Sequence, residues 1–268
     1  MAAPRRLRRE SRPVVYGVRV APRAAGPSPT RRREVKVRQH TWALLLLVAW
    51  APAAAALTWK GEVDLGFVAT QGNTNTSTLN GALDLQVRYG AWRHAVRVEA
   101  LHASDRGTTT AERYVGDLTN HYDLSAVSYL FGNVRYESDR FSGYSYQAAE
   151  AAGYGRRFRP LPALKAELEA GPGLRQSRET TGSSTNEAIF RAAGRLVWQL
   201  TPNAKFQQRV RLDSGRANTS IESVSSLQST VIGALALKLS ETVKYNTSVP
   251  AGTKNTDLLT SVNLVYSF

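Results

Sequence analysis

The chain has 268 residues, no cysteine and a formal charge of +14. That length fits one large all-β domain or two small ones, and the missing thiols exclude a disulfide scaffold or a thiolate metal site. The basic charge would suggest nucleic acid, but residues 1–56 hold 12 Lys/Arg against 2 acids, whereas residues 57–268 hold 23 against 19. The excess belongs to the leader, so nucleic acid is not an expected partner.

Residues 1–34 are Arg- and Pro-rich and aperiodic. This is the composition of a disordered extension, or of a stretch upstream of a true start near Val35 or Val37. Residues 35–56 read as a signal peptide. Lys36, Arg38 and His40 precede the apolar run 42–51, and Pro52 and four alanines follow it. Ala54 and Ala56 are the small residues expected at the cleavage site, with cleavage after Ala56. The apolar run is well short of the ~20 residues that a spanning helix needs.

From Leu57 onward the apolar period is two, which predicts strands. In the first, Trp59, Val63, Leu65 and Phe67 share a face, and Lys60, Glu62 and Asp64 take the other. In the second, Leu79, Leu83, Leu85 and Val87 alternate with Asn80, Asp84, Gln86 and Arg88. The pattern predicts twelve strands, over 58–70, 78–89, 92–104, 111–123, 126–138, 144–158, 163–175, 186–200, 204–214, 222–232, 235–247 and 256–268. The fifth, sixth and tenth alternate weakly, and their facing stays open.

Short connections at 90–91, 123–125, 159–162, 201–203 and 233–234 alternate with longer ones at 71–77, 105–110, 139–143, 176–185, 215–221 and 248–255. Short periplasmic turns and longer extracellular loops give this rhythm in outer-membrane barrels. An even strand number puts both barrel ends in the periplasm. A soluble barrel would bury the apolar face and expose the charged one. Charges in almost every strand fit a polar lumen inside an apolar wall. Trp59, Trp92, Tyr122, Phe158, Trp198 and Phe268 sit near the short turns, as an interfacial girdle would.

The last strand ends with Leu264, Tyr266 and Phe268 on one face. This spacing resembles the signal read by the outer-membrane barrel assembly machinery, an expected partner along with outer-membrane lipid. β-Augmentation would supply the contact, with alternate side chains in pockets. The opening Trp59-Lys60-Gly61-Glu62-Val63-Asp64-Leu65-Gly66, then Gly72-Asn73-Thr74-Asn75, and the late Pro250-Ala251-Gly252-Thr253-Lys254 add a second resemblance. Over residues 59–268 the chain resembles the family of salt-induced outer-membrane proteins, which carries a domain of unknown function. That resemblance implies an outer-membrane barrel and a link to salt or osmotic stress, and brings no catalytic residues.

No serine lies in a G-x-S-x-G elbow, and His94 and His121 fall near short turns, where interfacial positions are expected. No catalytic residue, cofactor or metal ligand set is expected. The lumen is the candidate site. Arg191, Arg195, Lys205, Arg209 and Arg211 would form a basic wall on strands eight and nine, and Glu62, Asp64 and Asp84 an acidic wall on the first two. Segregated charge favours anions. The expected function is a narrow, weakly anion-selective pore, with a closed structural barrel as the alternative and an outer-membrane hydrolase third. The sequence does not give an oligomeric state.

Overall fold

The computed structural model describes residues 57–70, 76–140, 142–250 and 252–268. The expected leader, its cleavage site at Ala54 and Ala56, and residues 71–75 lie outside the described residues. Twelve antiparallel strands follow one another around a closed barrel. They are β1 (Thr58–Thr70), β2 (Thr76–Tyr89), β3 (Trp92–Asp105), β4 (Thr108–Asp123), β5 (Ser128–Asp139) and β6 (Tyr144–Leu161). β7 (Leu164–Glu179), β8 (Ser184–Thr201), β9 (Ala204–Gly215), β10 (Thr219–Ile232), β11 (Leu235–Asn246) and β12 (Thr256–Ser267) complete the ring. Backbone groups in hydrocarbon need partners within the protein, and a closed ladder supplies them.

Facing follows the alternation. Leu65 is 61 % exposed, and its neighbour Asp64 only 3 %. Leu79, Val98, Leu130, Leu168, Phe190 and Leu237 are likewise exposed on the outside. An apolar exterior around a charged interior is the pattern of a membrane barrel, and this chain is an outer-membrane protein. Aromatic pairs mark both rims. Trp92 packs on Tyr122 at 5.0 Å near the short turns, and Tyr136 stacks on Tyr146 at 5.9 Å near the other end.

The turns at 90–91, 162–163, 202–203 and 233–234 are tight, with Gly90 and Gly233 at φ of 56° and 54°. On the extracellular side, strands run further than the sequence suggests. The loop expected at 105–110 shrinks to Arg106 and Gly107, at φ 49° and 79°. Two consecutive positive φ values make a turn whose twist matches paired strands, so the β3–β4 ladder continues to Asp105 opposite Thr108.

The weakly alternating strands acquire clear facing. In β5, Tyr129, Phe131, Asn133, Arg135 and Glu137 point inward, while Leu130, Val134 and Tyr136 point outward. Small residues on the inner face of β6, among them Gly153 and Gly155, made that strand hard to read. They are needed there, because a Cβ on Gly155 would lie 2.3 Å from the Tyr129 ring. One expectation is corrected. His121 is not interfacial: it follows Arg113 and Asp117 on the inner face of β4 and is buried in the lumen. His94 does lie outside, stacked on Trp92.

β1 meets β12 over four residue pairs, Glu62↔Ser267 to Leu65↔Leu264, while β11 meets β12 over eleven. Beyond these four, Gly61 N donates to Phe268 O at 2.8 Å and Phe268 N donates to Gly61 O at 2.9 Å. The Phe268 ring lies over Gly61 and meets Trp59 edge-on at 5.5 Å. Leu264, Tyr266 and Phe268 all face outward. Deleting Phe268 is expected to cost about 2 kcal/mol through its two hydrogen bonds. Phe268→Ala, which keeps them, should cost less. The temperature at which an unboiled sample loses its shifted gel band measures both. Equal losses would reject a backbone role for the last residue.

Candidate functional site

The lumen is built from the inner faces of all twelve strands, and its charges sort into levels. In the extracellular half Glu222, the fourth residue of β10, is the hub. It accepts from Arg113 at 2.9 Å and Arg135 at 3.1 Å, and Arg211 lies 3.5 Å away. Arg113 also reaches Glu137 at 3.0 Å and Glu99 at 3.3 Å. Lys244 Nζ bonds Glu137 at 2.5 Å. Arg135 and Glu137 are 6 % and 5 % exposed, so this layer fills the lumen. Above it, towards the extracellular side, Arg175 pairs with Glu187 at 2.6 Å, and Asn218 bonds Asn246 at 2.9 Å.

Below the layer, one side of the periplasmic half is also packed. Tyr129 donates to Glu169 at 3.0 Å, and His121 Nε2 meets the same carboxylate oxygen at 2.9 Å. That short contact needs the proton on Nε2. The Arg157 guanidinium lies over the Tyr129 ring at 4.5 Å, and Arg93 bonds Glu167 at 2.8 Å.

The other side is a cavity of about 580 Å³, bounded by the periplasmic ends of β1 to β3 and β7 to β12. Eight basic side chains line it, against the three acids Glu62, Asp84 and Glu167. Smaller cavities of about 220 and 70 Å³ share Arg97 and Arg209 with it and reach Glu222. The space therefore narrows as it approaches the ion-pair layer.

The sequence-predicted walls divide between these levels. Arg195, Lys205 and Arg209 line the large cavity. Arg191 and Arg211 sit deeper, facing Asp213 at 3.9 and 3.4 Å. The acids do not stand apart from the bases. Glu62 accepts from Lys205 at 2.9 Å, Asp64 from Lys238 at 2.6 Å, and Asp84 pairs with Arg97. What remains unbalanced is narrower than a wall. Arg195 and Arg209 are directly opposite across the β8–β9 ladder. Among the described residues neither guanidinium has an ion-pair partner, and Lys60 and Lys165 beside them have none either. Arg195 Nε is buried without a hydrogen bond. Like charges directly opposite on one face destabilise a sheet, and an anion between them would relieve that cost.

Sequence reasoning missed Arg135, Glu137, Glu222, His121 and Tyr129. Four of them lie on β5 and β10, where the apolar signal was weak, or at a turn read as interfacial. Among the described residues no serine hydrogen-bonds a histidine, and no cluster of three or more His, Asp or Glu could hold a metal.

The profile of the family described as "Protein of unknown function, DUF481" matches residues 63–268. The uncharacterized protein YdiY of Escherichia coli K12 is 32% identical over 220 residues, covering 81% of this chain and 86% of YdiY. Among solved structures, a NanC porin is similar at 9% identity and TM-score 0.47, over 78% of this chain and 98% of that one. A KdgM porin in complex with disordered oligogalacturonate is similar at 10% identity and TM-score 0.41, over 77% and 99%.

Proposed function

The chain belongs to the DUF481 family of proteins of unknown function, and from that premise we propose that it is a narrow, anion-preferring pore of the outer membrane. One observation carries the reading: the periplasmic cavity has eight bases against three acids, and two of the arginines face each other unpaired. Net positive charge in a confined aqueous space concentrates anions. The ion-pair layer around Glu222 sets the conductance. Ions pass only where those side chains yield, so each open event is small.

A second reading, a closed structural barrel, is favoured by the same layer, because Arg135 and Glu137 are buried by their partners. Planar-bilayer recording of the refolded protein separates the two. The pore reading expects small steps in 1 M KCl. A flat trace in every salt rejects it and leaves the closed barrel.

Export through a signal peptide cleaved after Ala56, and assembly through the Leu264, Tyr266 and Phe268 face, complete the proposal. N-terminal sequencing of the outer-membrane form should begin at Leu57. The link to salt stress rests on the family resemblance. Equal protein levels in cells grown in low and high salt would reject it.

A further inference from the structure

We propose that the outward faces of β9 to β12 form a contact between two copies of this chain within the membrane. Elsewhere the lipid face is apolar over most of its height, as on β2 with Leu79 and Leu83 or β7 with Leu168 and Leu174. On these four strands a polar row crosses it. Gln208 is opposite Ser225, Ser225 opposite Glu241, and Glu241 opposite Thr260. Their chain neighbours Gln207, Arg209, Ser226, Ser240 and Ser261 line the lumen cavities, so the row itself points outward. It lies within the strands, not at the rims. Leu237 and Leu239 flank Glu241 on the periplasmic side and Tyr245 on the other, all exposed.

Part of the row is satisfied internally. Gln208 Nε2 donates to Ser223 Oγ at 2.8 Å, and Ser225 Oγ donates to Gln208 Oε1 at 2.5 Å. Glu241 and Thr260 are exposed, and among the described residues neither side chain has a hydrogen bond or ion pair. A carboxyl group facing hydrocarbon without a partner is costly, and such groups mark contacts or pathways. The lumen runs on the other side of the wall, which leaves a contact.

A second copy supplies what the row lacks. In a two-fold contact one patch faces itself, so residue i meets j and j meets i. The row contains an unsatisfied acceptor in Glu241 and, beside it, a free hydroxyl donor in Thr260. Glu241 of one copy can therefore accept from the other, and the reverse holds. Small hydroxyl side chains also let two walls approach closely in lipid. Another outward acid, Glu150 on β6, lies between Val134 and Leu174 with Ala148 and Ala152 along the strand, and has no such donor. It serves as the control.

The chain has no cysteine, so Ser225→Cys places a unique thiol in the row. Treating outer membranes of this variant with a short bifunctional maleimide is expected to give an adduct of twice the chain mass. Light scattering of the purified wild type should also report a dimer. Glu241→Leu combined with Ser225→Leu should raise the dimer dissociation constant about tenfold or more, while the heat-shifted gel band persists. Glu150→Leu should leave the dimer unchanged. A monomeric wild type without the adduct, an adduct to a different protein, or a dimer unaffected by the double substitution would each overturn the proposal.

Discussion

Glu222→Ala is expected to destabilise the barrel by about 3–5 kcal/mol, the cost of leaving buried charges without their partner. The glutamate accepts from Arg113 and Arg135 and lies against Arg211. Without it, three guanidinium groups share a lumen too narrow to separate them; Glu99, Glu137 and Asp213 already serve other bases, and among the described bases Asp117 reaches only Arg135, at 3.6 Å. The gel-shift transition should move to markedly lower temperature. Glu222→Asp, which keeps the charge, should restore part of the loss. The same substitution removes side-chain volume at the narrowest level, so the conductance of the surviving barrels should rise. A stable variant of unchanged conductance would show that the layer neither holds the barrel together nor limits flow.

Arg195→Glu with Arg209→Glu is expected to turn an anion preference into a cation preference. An ion about 5 Å from one charge in a water-filled space interacts by ~0.8 kcal/mol. Two charges acting together then bias entry about tenfold, and inverting both inverts the bias. The effect should shrink in 1 M salt, where the screening length falls to about 3 Å. The cavity is wide enough to hold the substituted side chains, and neither arginine gives up an ion pair. The gel-shift transition should therefore hardly move. Lys205→Glu would be less informative, because it also breaks the contact with Glu62.

The barrel was legible in the sequence because a lipid-facing wall imposes a strict period of two. All twelve strands stand where that period predicts them, and Leu65 beside Asp64 shows why: one meets lipid, the other the lumen. Facing was lost where the inner face is itself small or apolar. On β6, Ala151 and Gly153 give no contrast with Ala148 and Ala152 outside. On β10, serines occupy both faces. Those are strands on which packing, not solvent, selects the residue. Charge placement was legible only by face. Period two puts Arg191 and Arg195 inside, but not the neighbour each meets across the lumen. That depends on ladder register, which pairs Lys238 with Asp64, some 174 positions away.

The reversal potential of the refolded wild type under a tenfold KCl gradient tests the central claim most directly. An excess of unpaired bases at the periplasmic cavity predicts a potential of the sign set by chloride, larger in dilute salt than in concentrated salt. A potential of the sign set by potassium, or one of zero in dilute salt, would contradict it.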